Sequence, residues 1–242
     1  MRLILSSGPH IRAKSDTRLT MLDVLIALLP TTAAGIYFFG TRAALLLAVS
    51  VASCVLFEAL WCALGHRKST VGDLSAAVTG LLLGLNLPSS APWWLPVIGA
   101  AFAILVIKQL FGGLGANFLN PALAARAALL SSWPAHMTTF LLPQRTLFVN
   151  TAAVADAATA ATPLTAKSSS YLDLFLGNIP GCIGEVCKAA LILGLLYLLV
   201  RKVIGWQIPV VMVATVALLS WALGEYPLQA VLSGGLLLGA IF

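Results

Sequence analysis

Long apolar stretches joined by short polar connections are the feature that most constrains this chain. A membrane-spanning helix needs about 20 apolar residues, or fewer where the helix is broken. The sequence predicts such segments near residues 20–39, 43–64, 74–87, 92–110, 119–132, 183–200, 207–223 and 228–242. Charged residues make up only 9% of the chain, whereas a soluble domain carries about 25%. We therefore predict an all-α, polytopic membrane protein.

The positions of lysine and arginine predict how these segments are oriented, because cytoplasmic ends of membrane helices are enriched in both. With a cytoplasmic N-terminus, counting segments places on the cytoplasmic side Arg2, Arg12, Lys14, Arg18, Arg67, Lys68, Lys108, Arg201 and Lys202. The opposite side receives Arg42, Arg145 and Lys167. Since the basic residues lie at segment ends, the net charge of +6 does not indicate a nucleic-acid partner.

The same count divides the chain into four parts. Residues 1–19 form a cytoplasmic N-terminal segment, and residues 20–132 form a first transmembrane unit. Residues 133–182, rich in Thr, Ser and Ala, form a long extracytoplasmic loop, and residues 183–242 form a second transmembrane unit. Composition alone favours reading the loop as a solvated linker.

A short internal repeat relates the two transmembrane units. Residues 79–84, Thr-Gly-Leu-Leu-Leu-Gly, recur as Gly-Gly-Leu-Leu-Leu-Gly at residues 234–239, each in the third segment of its half. The halves begin on opposite sides of the membrane, which predicts an inverted-topology repeat of the kind found in transporters and channels. The first half continues through two further segments and the second does not, so we expect the second repeat to be incomplete.

Ionisable residues inside the apolar segments are candidates for function, because each costs roughly 2.5–3.5 kcal/mol at the bilayer centre. They are Asp23, Glu58, Lys108, Arg126, Glu185 and Lys188. Lys108 and Lys188 lie near segment ends, where a lysine can extend its ammonium to the interface. Asp23 lies in the first turns of its segment and can interact with the helix dipole. Glu58 and Arg126 are deeper, and can pair with each other, line a polar path or face a partner subunit.

The stretch from Phe111 to Pro121 predicts a break between two helices. Gly112 and Gly113, with Gly115, permit close backbone approach. Asn120 occupies the position of a helix N-cap, and Pro121 suits the first helical position. A helix that starts there directs its N–H groups at whatever occupies the break, which favours a polar or anionic ligand. The alternative is a tight turn between helices.

The extracytoplasmic loop contains a group of small and hydroxyl residues between Asp156 and Leu164. Its Asp156, Thr159, Ala161 and Thr162 follow the pattern Asp-x-x-Ser/Thr-x-Ala-Thr, which resembles a flavin-attachment site. Further similarity comes from Ser7-Gly8-Pro9-His10, from Lys108 through Gly115 with Asn120-Pro121, and from Leu174 through Gly177 with Gly184-Glu185. Together these motifs resemble the D subunit of the Rnf ion-translocating ferredoxin:NAD oxidoreductase. Members of that family continue beyond Phe242, so we expect this chain to be shorter than a complete member.

The resemblance implies a covalent flavin. Thr162 would carry FMN through a phosphoester that a flavin transferase makes outside the cytoplasm, with Asp156 and Thr159 as motif partners. It also implies noncovalent riboflavin within the membrane region, for which the break at Gly112, Gly113 and Asn120 is a candidate wall. The implied fold is the inverted-repeat helical bundle of urea channels.

The implied activity is electron transfer between ferredoxin and NAD, coupled to Na⁺ or H⁺ movement across the bacterial inner membrane. The implied partners are the A and E membrane subunits of the Rnf complex, its G flavoprotein and its B and C iron–sulfur proteins. Three other functions stay open: the B subunit of the related sodium-pumping NADH:quinone oxidoreductase, a passive channel, and a scaffold that organises partner subunits. The four cysteines lack the spacing of a metal or redox site.

Overall fold

The structure, a computed structural model, describes residues 16–66, 69–143, 171–224 and 226–242. These residues form helices and loops, with no strand among them, which agrees with the predicted all-α class. We number the helices α1 Thr17–Leu64, α2 Ser75–Leu85, α3 Trp94–Ala101, α4 Pro121–Ser132, α5 Pro134–Thr138, α6 Tyr171–Leu176, α7 Lys188–Val200, α8 Gln207–Ala222, α9 Pro227–Leu232 and α10 Leu236–Ile241. A short 3-10 helix, Val71–Asp73, precedes α2, and a π-helix, Phe102–Gln109, extends α3.

Helix α1 has two arms that reverse direction at Gly40. Its 48 residues would be about 72 Å long if straight. Gly40 has φ 69° and ψ −156°, a conformation open almost exclusively to glycine. Met21, in the first arm, lines the same cavity as Lys108, which binds Glu58 in the second arm, so the two ends of α1 lie together. The predicted segments 20–39 and 43–64 correspond to these arms.

Length separates α1 from the other helices. Among the described residues, α1 alone is long and apolar enough to cross a membrane by those two criteria. Helix α2 has 11 residues and is about 16 Å long, roughly half of a hydrocarbon core of about 30 Å. The expected segment 74–87 is therefore a half-length helix.

The second half of the chain is more broken than the apolar pattern predicts. Residues 183–187 are not helical, so the expected segment 183–200 is helical from Lys188 onward. Residues 207–223 match α8 within one residue. The expected segment 228–242 is interrupted at residues 233–235 and gives the two short helices α9 and α10. Gly234 explains this interruption, because its φ of 68° is outside the helical range and is readily adopted only by glycine.

Close helix contacts occur both within the first half and between the two halves. The first arm of α1 packs against α7, where a Cβ added to Gly194 would overlap the backbone oxygen of Ala27. The second arm packs against α2, where a Cβ at Gly80 would lie 2.7 Å from Cα of Val51. Small residues at such crossings let helix backbones approach closely, which is how membrane helices gain packing energy.

The ends of the broken helices meet through main-chain hydrogen bonds. The N–H of Ile183 donates to the carbonyl of Leu87 at 3.0 Å, and the N–H of Gly184 donates to that of Leu85 at 2.8 Å. Non-helical backbone at membrane depth must be buried in protein and hydrogen-bonded, and these contacts meet that requirement. They also bring the loop before α7 to the end of α2, where the candidate site lies.

Candidate functional site

A buried ion pair joins the second arm of α1 to the π-helix. The Lys108 Nζ lies 2.9 Å from both carboxylate oxygens of Glu58 and 2.6 Å from Oγ of Ser75. Lys108 and Glu58 are 1% and 0% exposed. An ammonium has three donors, and all three have acceptors here. The expectation that Lys108 extends to the interface is therefore wrong, because a carboxylate inside the bundle binds its ammonium.

Further donors complete the pairing of Glu58. Its Oε1 accepts hydrogen bonds from the hydroxyl of Thr70 at 2.6 Å and from the amide of Gln109 at 3.2 Å. On the other side of Lys108, the hydroxyl of Ser75 donates to the Asp73 carboxylate at 2.5 Å. The result is a continuous hydrogen-bonded series at the start of α2. Such networks are rigid when every member is paired.

The π-helix places Lys108 in this network. The N–H of Leu110 donates to the carbonyl of Leu105 at 3.1 Å, five residues earlier, in place of the usual four. The extra residue in the turn rotates the following side chains relative to an α-helix. Such π-helical turns occur frequently at functional sites.

A second ion pair joins α4 to the loop before α7, with the Arg126 side chain 31% exposed and that of Glu185 8% exposed. The Arg126 Nη1 donates to Glu185 Oε1 at 2.8 Å and to Asn86 Oδ1 at 2.7 Å. Its Nη2 lies 3.6 Å from Sγ of Cys182. The pairing of Glu58 with Arg126, one of the alternatives left open, does not occur, because each has a nearer partner of opposite charge.

Lys188 is also inside the protein. It is 0% exposed, and its ammonium donates to the backbone oxygens of Glu185 and Gly234. The expectation that it extends to the interface is wrong, since the break between α9 and α10 supplies the acceptor. Arg126, Glu185 and Lys188 thus form one cluster, which we call the Arg126 cluster.

Asp23 forms the third ion pair, at the end of the first α1 arm. Its carboxylate accepts hydrogen bonds from the Arg201 guanidinium at 3.2 Å and from the Tyr197 hydroxyl at 2.9 Å. These bonds raise the pKa of Arg201 above its usual value, chiefly through the hydrogen bond to Asp23. Asp23 therefore joins α1 to the end of α7, an interaction in addition to the dipole effect that the sequence predicts.

Two adjacent cavities border these ion pairs, one lined by Lys108 and the other by Arg126. One, which we call the Asn117 cavity, has a volume of about 470 Å³ and is lined by residues that include Ser75, Lys108, Gly115, Asn117 and Asn120. The other, the Arg126 cavity, has about 260 Å³ and is lined by residues that include Asn86, Asn120, Arg126 and Gly235. Asn120 lines both. The larger volume is within the range of about 300–1,000 Å³ typical of small-molecule sites.

Comparison with known proteins identifies the family of this chain. The sequence matches the NQR2, RnfD, RnfE family over residues 4–242. The chain belongs to this family. It is 47% identical, over all of its own length and 76% of the relative's, to the D subunit of the Na⁺-translocating ferredoxin:NAD⁺ oxidoreductase complex of Acetobacterium woodii.

Two other relatives in the NQR2, RnfD, RnfE family have similar coverage. The D subunit of the proton-translocating ferredoxin:NAD⁺ oxidoreductase complex of Clostridium ljungdahlii is 36% identical over 98% of this chain and 76% of its own. The D subunit of the ion-translocating oxidoreductase complex of Alcanivorax borkumensis is 38% identical over 100% and 79%. The family resemblance seen in the sequence is therefore confirmed.

Among the site residues predicted from sequence, Asn120 has the best-defined place. Its side chain accepts a hydrogen bond from the N–H of Ala122 at 3.0 Å, and Pro121 is the first residue of α4, as predicted. Gly112 and Gly113 have φ of 111° and 93°, which explains glycine at both positions. Gly115, and not these two, lines the Asn117 cavity. Their role in binding a cofactor stays a prediction.

The predicted flavin residues Asp156, Thr159 and Thr162 lie outside the described residues, as does the Ser7–His10 motif. The division at residues 19, 132 and 182 also stays a prediction. Within the described parts, no group of three or more His, Cys, Asp or Glu side chains is arranged to bind a metal ion.

Sequence reasoning missed the polar side chains that complete the two ion pairs. These side chains are all less than 8% exposed: Ser75, Asn86 and Gln109. Ser75 contacts Lys108, Asn86 contacts Arg126, and Gln109 contacts Glu58. One signal was available, since each lies at an end of an apolar segment next to a predicted break. That position alone does not distinguish a buried partner from an ordinary helix-end residue.

Proposed function

We propose that this chain is the D subunit of an ion-translocating ferredoxin:NAD oxidoreductase, a membrane protein that helps to couple electron transfer to Na⁺ or H⁺ movement. The observation that carries the proposal is the 47% identity over the whole chain to a protein of that name. Relatives named for sodium and for proton translocation both match, so family membership does not select the ion. The buried Glu58–Lys108 pair supports a function beyond scaffolding, because buried ion pairs are weak contributors to stability.

The proposal includes covalent FMN on Thr162, held through its phosphate and supplying one- and two-electron chemistry when bound. Its support is the motif formed by Asp156, Thr159 and Thr162 in a chain of this family. A flavin transferase acting outside the cytoplasm would attach it. Covalent attachment would prevent loss of the carrier to the surrounding water.

A denaturing gel tests the covalent flavin directly. The full chain, expressed with its complex and transferase, should fluoresce in the gel as a flavoprotein. Thr162→Ala should abolish the signal, whereas Thr159→Ala, also a hydroxyl deletion in the same motif, should reduce but not abolish it. Fluorescence that persists in Thr162→Ala would show that Thr162 is not the acceptor.

We further propose that the Asn117 cavity holds noncovalent riboflavin. Its volume suits a small ligand, and Oδ1 of Asn117 is buried without a hydrogen-bond partner among the described residues. A buried acceptor without a partner is uncommon, and a flavin edge carries an N–H that would satisfy it. Asn117 and Asn120 would hold the polar edge of the ligand, and Ser75 and Lys108 also line this cavity.

Released flavin tests this second site separately from the first. Acid treatment of the purified complex frees only the noncovalent flavin, which is then quantified by chromatography. Asn117→Leu should lower the amount released per complex and leave the gel fluorescence unchanged. Thr162→Ala should abolish the gel fluorescence and leave the amount of released flavin unchanged. An unchanged amount of released flavin in Asn117→Leu would refute the cavity assignment.

The proposed setting is the inner membrane of a bacterium, with the A, E, G, B and C proteins of the complex as partners, a cytoplasmic N-terminus and an external flavin loop. The proposed architecture is an inverted repeat like that of urea channels. The distribution of Lys and Arg supports the orientation. A fused green fluorescent protein, which fluoresces only when the fusion point is cytoplasmic, should be bright after His66 and dark after Leu142. The opposite pattern would reverse the topology.

A further inference from the structure

The break between α9 and α10 exposes backbone oxygen atoms inside the protein. Residues 233–235 are not helical, with φ 68° at Gly234. The carbonyl of Gly234 therefore lies outside the helical hydrogen-bond pattern and needs another donor or a cation. In membrane transporters, carbonyls released at such breaks coordinate Na⁺ or a proton-carrying group.

In this structure a cation of the protein itself occupies the break. The Lys188 Nζ donates to the Gly234 carbonyl at 2.8 Å and to the backbone oxygen of Glu185. Among the described residues it forms no ion pair with a carboxylate, since Glu185 pairs with Arg126. Lys188 is fully buried, so two backbone carbonyls are the main groups that replace the water around its charge.

The position of Lys188 makes this arrangement costly unless the oxygens compensate. Lys188 is the first residue of α7, where the helix dipole is positive and disfavours a cation. The Arg126 cluster also contains two cations and one carboxylate. A neutral side chain of the same size would avoid this electrostatic cost but would leave the Glu185 and Gly234 oxygens without their donor, so the oxygen atoms of the break stabilise the ammonium.

A further oxygen in the same break is unused. Ser233 is 4% exposed, and its Oγ is buried with no hydrogen-bond partner among the described residues. Hydroxyl and carbonyl oxygens together are the ligands that hard monovalent and divalent cations prefer. The break thus offers more oxygen atoms than the ammonium uses.

We propose that the Glu185 and Gly234 carbonyls and the Ser233 hydroxyl form a monovalent-cation site in which Lys188 is the resident cation. The site takes a compact cation such as K⁺, Na⁺ or a small alkylammonium once the lysine is shortened. In the native chain it is closed to free ions, so a coupling ion that passes through this protein must use another path. The inference is independent of the flavins proposed above.

The test compares thermal stability in different salts. The full chain is extracted with its complex, and the temperature at which half of it aggregates is measured in choline, sodium, potassium and methylammonium chlorides of equal ionic strength. The midpoint temperature of each variant is reported as its difference from that of the native chain in the same salt. This subtraction removes the effects of ions bound elsewhere.

Lys188→Ala opens the site, and Lys188→Met fills the same space without charge. In choline both should unfold several degrees below the native chain. Methylammonium or K⁺ should restore most of the loss in Lys188→Ala and none in Lys188→Met. Adding Ser233→Ala to Lys188→Ala should raise the half-restoring cation concentration roughly fivefold, since one oxygen ligand contributes about 1 kcal/mol. Lys188→Ala that does not respond to any cation would overturn the proposal, as would an equal response in Lys188→Met.

Lys188→Gln keeps the test decisive if the alanine variant does not accumulate. Its amide can donate to the same carbonyls but carries no charge. A cation site requires that Lys188→Gln be less stable than the native chain. Stability equal to that of the native chain would show that the break needs only a hydrogen-bond donor, and would overturn the proposal.

Discussion

Replacing Lys108 with methionine should strongly destabilise the chain. The substitution preserves side-chain volume but removes the ammonium that lies 2.9 Å from both oxygens of Glu58. The attraction at this separation is about 6 kcal/mol at an effective dielectric constant of 20. Desolvation offsets much of this attraction in the native state, but after the substitution the carboxylate is left buried without a cation.

Breaking one side of a buried ion pair costs about 3–5 kcal/mol. Thr70 and Gln109 still donate to Glu58 in the variant, so we expect the lower end, about 3 kcal/mol. For a chain of this length that corresponds to a fall of about 6–12 °C in the unfolding midpoint. The measurement is the aggregation midpoint of the full chain extracted from membranes with its complex.

A second substitution tests whether the uncompensated charge is the cause. Glu58→Gln combined with Lys108→Met removes both charges, and pairs replaced by neutral groups of similar volume are often neutral in stability. The double variant should therefore recover most of the lost midpoint. Lys202→Met, at an exposed lysine, is the control and should leave the midpoint unchanged. Equal midpoints for Lys108→Met and the double variant would refute the reasoning, because the loss would then come from packing.

Three further substitutions follow from the same contacts and are measured by the same midpoint. Gly194→Ala should destabilise by about 1–3 kcal/mol because its Cβ meets the Ala27 backbone, whereas Gly239→Ala, where a Cβ has nothing within 4 Å, should be neutral. Gly40→Ala should lower the free energy of unfolding by about 1–3 kcal/mol through backbone strain at φ 69°. A decrease of less than about 0.5 kcal/mol would argue against the reversal of α1 at Gly40. Asn120→Ala should cost about 1 kcal/mol by removing the cap on Ala122, whereas Asn120→Asp should keep it.

Apolar runs were sufficient to predict the approximate places of the helices in the first half, where segments 20–39 and 43–64 are the two arms of α1. The reversal at Gly40 falls between the predicted segments 20–39 and 43–64 because the two arms have independent apolar stretches. The same reasoning predicted one continuous segment over residues 228–242, which the structure divides into α9 and α10. Apolar composition reports burial in lipid or protein and not helical continuity, and the break at 233–235 depends on the backbone conformation of Gly234 and on a lysine 46 positions away.

The charged pairs could not be predicted for a related reason. Lys108 and Glu58 are 50 residues apart and Arg126 and Glu185 are 59 apart. Candidates for burial were recognisable from their place within apolar segments, but the choice of partner depends on how helices pack. Lys108 and Lys188 show this most clearly. Proximity to a segment end favours an interfacial lysine, whereas the Glu58 carboxylate binds Lys108 and the Gly234 carbonyl binds Lys188 inside the protein.

The charges around the two cavities differ, and this difference bears on which groups each cavity can hold. The Glu58–Lys108 pair is neutral as a unit, whereas the Arg126 cluster has two cations and one carboxylate and thus an excess positive charge. Negative charge on a group in the Arg126 cavity would be stabilised by the nearby cations. Arg126 lines that cavity, and its Nη1 is already directed to Glu185 and Asn86. An anionic ligand would therefore need little rearrangement of the protein, as preorganised charge requires no new orientation. Arg and Lys also line pores for anions, so the excess positive charge predicts a preference for anionic over cationic groups in this cavity.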